Sequence, residues 1–385
     1  MELANTYMSE ESYENAIVYL NKLIQTASLE DKLKPEIYLK LGIAQYNLEN
    51  TEQSIAFFRK VIKEFPSSEE ATEAVESARS IYVKNGKLDD FQTFLESGGR
   101  SISAFQKDSL QFQFVQSTFT ESDHVQTYNA IERYLRDYPN GLFVTDVLAF
   151  KSDLLKEDGR WKEAAENFSQ LSRIVPSKYE KNALKEASKI YFFELRDYKN
   201  ALPLYIKQFT HTETPEDKLL SLRGIVRCYY YTQSWLEGGS YASQLLESNS
   251  NVDDVSYARV VLGYKYQSLK SLDSSSYYFN NLINRNSLLG AEARFQLALN
   301  EFNQDFFEKA EVSAMAVISK ENPSDYWESR CYILLGNIFS KQKDFFNAKA
   351  TLESVIENCK IEDLITMAKE DLERIKAEEQ IVEQK

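Results

Sequence analysis

Small and apolar residues recur at helical spacing along this chain. Tyr332, Leu335, Gly336 and Phe339 fall at i, i+3, i+4 and i+7, which predicts one face of a helix. A polar break, KQKD, follows, and Phe345, Ala348, Leu352 and Val355 mark the face of a second helix. Two helices this short cannot bury their apolar stripes alone, so neighbours of the same kind are required. The rest of the chain supplies them. A mostly small residue opens the second helix of each couplet at Ala16, Ser54, Asp90, Thr127, Ala164, Ala201, Gly238, Ser275, Ala310 and Ala348. Successive spacings run from 35 to 38 residues, the mark of a repeat architecture. Four positions on stands a residue that is bulky in most units, as in Leu20, Phe58, Phe168, Tyr205, Phe279 and Leu352. Prolines 66, 139, 176 and 323 stop units where the second pattern fades.

The first helix of a couplet is marked by YLKLG (38–42), RVVLG (259–263), RFQLA (294–298) and YILLG (332–336). Glycine inside a helix costs about 1 kcal/mol relative to alanine. Its recurrence at Gly42, Gly263 and Gly336 therefore predicts close helix–helix contact. The segment ESGGRSISAF (96–105) interrupts the period, and QFQFVQSTF after it alternates like a strand. Phe112, Val115 and Phe119 also share a helical face, and the surrounding period favours helix. Near the end, Leu364, Met367, Ala368, Leu372 and Ile375 predict a helix from Ile361 to about Ala377 that caps the last repeat, followed by a frayed tail EEQIVEQK.

This grammar (bulky–x–x–Leu–Gly/Ala–x–x–aromatic, then aromatic–x–x–Ala–x–x–x–aromatic–x–x–aliphatic, then Pro) resembles the tetratricopeptide repeat. Residues 35–68, 256–289 and 329–360 match best, and the units marked by Asp90 and Thr127 depart most. The tyrosine, glycine and alanine pattern argues against HEAT or armadillo arrays. The resemblance implies an all-α, right-handed solenoid of about nine or ten helix-turn-helix repeats with a C-terminal capping helix. The expected organisation is repeats over 1–97, a possible hinge at 98–104, repeats over 105–360, and cap plus tail over 361–385. FPSSEEATEAVESARSIYVKNGKLDDF, RYLRDYPNGLF and DYWESRCYILLGNIFSKQKDFFNAKATLESVIEN also resemble long repeat proteins of the Bacteroidetes cell envelope. In those proteins this segment is similar to the C-terminal part of a longer array, and Met1 falls within the first helix of a unit. A periplasmic or envelope location is implied by that resemblance alone, with a cytoplasmic adaptor as the alternative.

Tetratricopeptide repeats imply a concave groove lined by first helices, at positions two, five, nine and twelve of each unit. These are Glu36, Leu39, Ile43 and Tyr46; Tyr257, Val260, Tyr264 and Gln267; Glu292, Phe295, Leu299 and Phe302; and Arg330, Ile333, Asn337 and Ser340. Tyr46, Tyr257, Tyr264, Phe295, Phe302, Arg330 and Asn337 are the expected partner-binding residues. Leu39 and Ile43 stand where the clamp of chaperone-tail readers needs polar residues. RCYYYTQSW (227–235) is the richest aromatic cluster, and part of it is expected in the inter-helix core.

Composition narrows the function. The 385 residues are 43% hydrophobic, too apolar for a disordered chain, and 12 glycines and 7 prolines favour helix. The formal charge of −14 repels phosphate backbones and anionic lipid, so the expected partner is a neutral or basic protein or peptide, not nucleic acid. No run is long enough to insert in a membrane, and MELANTYMSEESYENAIVYL lacks the features of a signal peptide. Cys228, Cys331 and Cys359 form no paired motif. His124 and His211 stand outside any metal spacing, and no GxSxG, GxGxxG or Walker string occurs. The expectation is a scaffold with no cofactor or metal, not an enzyme; oligomeric state is left open.

Overall fold

The computed structural model describes residues 1–26, 31–248, 251–319 and 324–383. Two compact units divide after Glu180. The first holds five helix pairs: α1 (Glu2–Ser9) with α2 (Tyr13–Ile24), α3 (Lys34–Asn47) with α4 (Thr51–Glu64), α5 (Glu69–Lys84) with α6 (Leu88–Ser97), α7 (Ala104–Thr120) with α8 (His124–Asp137), and α9 (Val144–Glu157) with α10 (Trp161–Leu171). The second holds α11 (Glu180–Lys189) with α12 (Tyr198–His211), α13 (Pro215–Tyr231) with α14 (Trp235–Glu247), α15 (Val252–Ser268) with α16 (Leu272–Asn280), α17 (Leu288–Asn303) with α18 (Phe307–Ile318), and α19 (Asp325–Lys341) with α20 (Phe345–Asn358). A last helix, α21 (Glu362–Glu383), packs on α19 and α20. Within each unit successive helices pack on one another, α12 meeting its partner through the Ile190–Glu194 turn at the end of α11, so the pairs form an all-α stack of the solenoid kind.

Why the chain turns where it does is visible in the backbone. Of the eleven positive-φ residues among those described, ten sit one per pair, at positions 11, 49, 86, 122, 159, 196, 233, 270, 305 and 343, and Gly99 follows α6. Each of the ten ends a first helix. The next amide then reaches back five residues in most of these turns, as Asn50 N–H does to Gln45 O, Ser271 N–H to Tyr266 O and Asp344 N–H to Phe339 O, each at 2.9 Å. That bond satisfies a helix-terminal carbonyl otherwise left open. At the turn after α11 the reach is six, Asp197 N–H to Tyr191 O at 2.7 Å, because Ile190–Glu194 form a π-turn. Only Gly86 and Gly159 among the ten lack a Cβ. Left-handed geometry costs an ordinary residue about 1–2 kcal/mol. Lys270→Gly and Lys343→Gly, both at exposed turns, are each expected to stabilise the second unit by about 0.5–1 kcal/mol. Urea denaturation of the two variants checks this; unchanged midpoints would refute it.

The marker residues lie five positions after each left-handed residue and are buried throughout. In the third pair this places the marker at Phe91, 3% exposed, and not at Asp90, which faces water. The short α6 buries Phe91, Phe94 and Leu95 together, so the one-residue shift keeps the apolar face inward. The glycines do permit close approach. A Cβ at Gly42, Gly263 or Gly336 would lie 2.4, 2.5 or 2.7 Å from Phe58, Phe279 or Leu352 of the paired helix.

Residues 98–103 form the loop expected from the Gly/Ser interruption. Arg100 donates to Pro66 O at 3.1 Å, Ile102 packs on the core of α3–α7, and Ser103 with Gln106 forms a reciprocal cap on α7. QFQFVQSTF is helical, with Phe112 stacked on Phe143 (4.4 Å) and Phe119 near Phe150 (4.6 Å). Nearby, the Asp108 carboxylate is buried, accepting from Tyr134 O–H at 2.5 Å and Leu142 N–H at 2.8 Å. Tyr134 O in turn accepts from Phe143 N–H at 3.1 Å, so one carboxylate fixes the YPNGLF turn between α8 and α9. The expected frayed tail is a correction. The capping helix continues six residues past Ala377, through Glu383, with Ser340 Oγ–H donating to Glu378 and Lys349 Nζ to Glu379. The proposed stop at Pro323 lies outside the described residues.

Candidate functional site

In the second unit, successive first helices α13, α15, α17 and α19 place polar and aromatic side chains together. α13 starts cleanly because the Thr214 hydroxyl accepts from Asp217 N–H and Pro215 needs no N–H partner there. Its last turn carries the aromatic run. Cys228 and Tyr229 turn into the core, Tyr230 is half-buried, and Tyr231 is 42% exposed. α17 delivers Glu292, only 5% exposed, opposite Tyr264 of α15. Tyr264 O–H donates to Glu292 Oε1 at 2.6 Å and Tyr230 O–H to Oε2 at 2.7 Å. Trp235 stacks on Tyr264 (4.3 Å between centroids) and meets Tyr230 edge-on (6.1 Å).

From Tyr264 a chain of amides runs along the first helices. Gln296 Nε2 donates to Tyr264 O at 2.9 Å, Gln267 Nε2 to Gln296 Oε1 at 3.0 Å and Asn300 Oδ1 at 2.7 Å, and Asn300 Nδ2 to Ser275 Oγ at 2.8 Å. Such a network fixes side-chain positions when its members are satisfied. Above it lies a recess of about 440 Å³, lined by Tyr230, Tyr231, Gln233, Trp235, Tyr264, Glu292, Gln296, Tyr326, Trp327 and Arg330. Burial pushes the Glu292 carboxyl above the usual glutamate range, against the opposing pull of the Tyr264 and Tyr230 hydroxyls. Burial also raises both phenols, beside that carboxylate, so they stay protonated donors.

The sequence-predicted residues divide. Tyr264 and Arg330 belong to the recess. Tyr257 stands next to it, its ring 5.0 Å from Tyr230 and its hydroxyl 3.1 Å from that of Tyr231. Tyr46 is 40% exposed at the end of α3, in the first unit. Phe295 is a correction: it is 2% exposed, covered by Trp327 (5.4 Å) and by the Arg330 guanidinium (4.8 Å). Leu39, Val260 and Ile333, at the same position five, are likewise 4%, 0% and 3% exposed. That position points to the core here. Phe302 is half-buried against Phe307 (5.7 Å) at the edge of the α17–α19 core. Asn337 is engaged by the cap, donating to Asp371 at 2.8 Å and accepting from Arg374. A continuous wall of Tyr257, Tyr264, Phe295 and Phe302 is therefore not what the fold builds. Trp235, Tyr230, Tyr231, Tyr326 and Trp327 do the lining instead. The clustered aromatics of RCYYYTQSW and the DYW of residues 325–327 were the signal for them.

A second recess of about 230 Å³ lies against Lys185, Lys189, Arg223 and Arg227. The buried Asp254 carboxylate takes Arg223 Nε at 2.8 Å and Arg227 Nη2 at 2.7 Å. Among the described residues, no group of three or more His, Cys, Asp or Glu side chains is arranged to hold a metal ion. His124, at the start of α8, lies 2.7 Å from Asp158 Oδ1, an exposed pair without a cleft. No helix of the described residues is long and apolar enough to cross a membrane.

Two family models for the tetratricopeptide repeat match, one over residues 36–68 and one over residues 1–28. No curated protein matches. Similar solved structures include a tetratricopeptide repeat protein from Parabacteroides merdae, 17% identical over 70% of this chain and 98% of that one (TM-score 0.36). Another is the apo form of the quorum sensor NprR from B. thuringiensis, 12% identical over 80% and 94% (TM-score 0.42). The Cut9–Hcn1 hetero-tetramer of APC/C is also similar, 13% identical over 97% and 82% (TM-score 0.39).

Proposed function

We propose that the chain is a protein-interaction scaffold, a reading its tetratricopeptide-like repeats support, and that the second unit holds a protein segment along its first helices at the aromatic recess. The observation that carries this reading is the exposure of Tyr231 (42%) and Tyr326 (38%) at the mouth of a recess whose floor is fixed by hydrogen bonds. Rigid aromatics give contact area at low entropic cost, and a fixed floor reduces what must be ordered on binding. Catalysis is not part of the proposal. Cys228 and Cys331 are buried, and their thiols are pushed up to about 12, which makes them inert.

The proposed setting is the bacterial cell envelope, in assembly or maintenance. It rests on the sequence resemblance to Bacteroidetes envelope repeat proteins. Fractionation of the source cells tests it, and recovery in the cytoplasm would make the chain a cytoplasmic adaptor instead.

The groove reading is tested by photo-crosslinking from a residue placed at Tyr231 or Tyr326, against a control at Val312, which is 70% exposed on the second helix α18. A partner captured from the first two and not the third is expected. Tyr231→Ala/Tyr326→Ala should keep its helical circular dichroism and weaken that partner about tenfold or more. A folded double variant that binds with unchanged affinity would move the partner elsewhere.

A further inference from the structure

We infer that the recess receives a basic side chain, lysine or arginine, of the bound protein segment, and that Glu292 is the group that pairs with it. The inference rests on the groove reading above and specifies its chemistry. Glu292 is 5% exposed and each of its oxygens accepts one phenol. Among the described residues, no lysine, arginine or histidine nitrogen lies within ion-pair distance of it. Such a carboxylate is held at a cost unless something positive joins it. Both phenol hydrogens point at the carboxylate, so it is arranged as an acceptor, and each oxygen keeps acceptor capacity for a further donor.

The walls suit the same ligand. Tyr230 and Tyr264 hold the carboxylate and Trp235 packs on both, and aromatic faces attract ammonium and guanidinium groups within about 6 Å. The one cation of the recess is turned to other work. Arg330 lies over the Phe295 ring at 4.8 Å and donates to Tyr326 Oη at 3.3 Å, so its guanidinium is held by these neutral groups and not on Glu292. A net charge of −14 draws basic segments in from solution.

The test uses the full chain carrying Trp161→Phe. Trp161 belongs to the first unit, and the two remaining tryptophans, Trp235 and Trp327, both line the recess. Blocked alanine pentapeptides with arginine, lysine, norleucine or glutamate at the centre are titrated while tryptophan emission is followed. Saturable changes are expected with arginine and lysine, at least tenfold tighter than with norleucine, and none with glutamate. Glu292→Gln, which keeps an acceptor for one phenol, should lose that tenfold preference while retaining the helical spectrum. Equal affinity for norleucine and lysine, no saturation with either cation, or an unchanged preference in Glu292→Gln would each overturn the inference. Crosslinking from Tyr231 that survives such a result leaves the groove reading standing and removes only the cation. Should Glu292→Gln fold poorly, high salt replaces it: the preference for lysine over norleucine must shrink between 50 mM and 500 mM chloride, and an unaltered preference refutes the pairing.

Discussion

Gly263→Leu is expected to destabilise the second unit by about 3 kcal/mol, the upper end of the overpacking range. A Cβ alone at that position would lie 2.5 to 2.8 Å from three ring atoms of Phe279, closer than real contacts allow. The ring cannot retreat, because Phe279 is 0% exposed and closed in with Val260, Leu282 and Ala293, all fully buried. Gly263→Ala should cost less, about 1–2 kcal/mol, since a single methyl needs a smaller shift. Phe279→Ala opens a cavity worth about 3–5 kcal/mol by itself. Combined with Gly263→Leu it should cost clearly less than the sum, as the leucine fills part of the space. Repeat stacks lose cooperativity when one link is weakened, so hydrogen exchange resolved by helix is the appropriate measurement. Protection should fall first in α15 and α16 and hold in the first unit. An effect below 1 kcal/mol, or a uniform loss along the chain, would show that the contact is not the one that matters. Because Tyr264 meets Phe279 edge-on at 5.5 Å, the same substitution should also loosen the floor of the recess.

Asp108→Ala is expected to cost about 3 kcal/mol in the first unit. It leaves Tyr134 O–H and Leu142 N–H without their acceptor, and unsatisfied buried donors cost about 1–3 kcal/mol each. Asp108→Asn keeps one acceptor oxygen for two donors and should lose about half as much. Tyr134→Phe strands Phe143 N–H as well as Asp108, so the double variant with Asp108→Ala should be strongly sub-additive. Chemical denaturation of the four variants decides it. Additive losses would mean that carboxylate and phenol act separately.

Much of this fold was legible because the packing constraint is local and periodic. The small markers and the glycines at 42, 263 and 336 are where two helices of one pair meet, and the need for a missing side chain shows in the letter itself. The turns were not legible, since eight of the ten left-handed positions hold Glu, Ser, Arg, Gln, Lys or Asp and signal nothing. Asp90 was mistaken for a marker because Phe91, the buried residue, is large. The candidate site was legible only in part. Tyr264, Arg330 and the aromatic run of α13 were visible, but a position number carried over from a repeat pattern does not say what covers a side chain. Phe295 is shielded by Trp327 and Arg330 from the next repeat, and Asn337 by Asp371 and Arg374 from the cap. Glu292 was assigned to the groove by its repeat position, but its burial could not be read until two tyrosines, 28 and 62 residues away, were seen to reach it.

The ten left-handed turns have a bearing on how such a chain changes length. Each turn is specified by its own backbone and closes on a carbonyl of its own helix, independent of what sits in neighbouring pairs. Cutting between two successive left-handed residues and rejoining removes one whole period and restores the same turn. Deleting residues 234–270, for example, sets Ser271 directly after Gln233, with a positive-φ residue again five positions before a buried small one. Duplication between the same points adds a period just as cleanly. The spacing of the array is thus preserved by recombination at these points, and growth or shrinkage of the scaffold can proceed in whole units while the residues of each pair go on diverging.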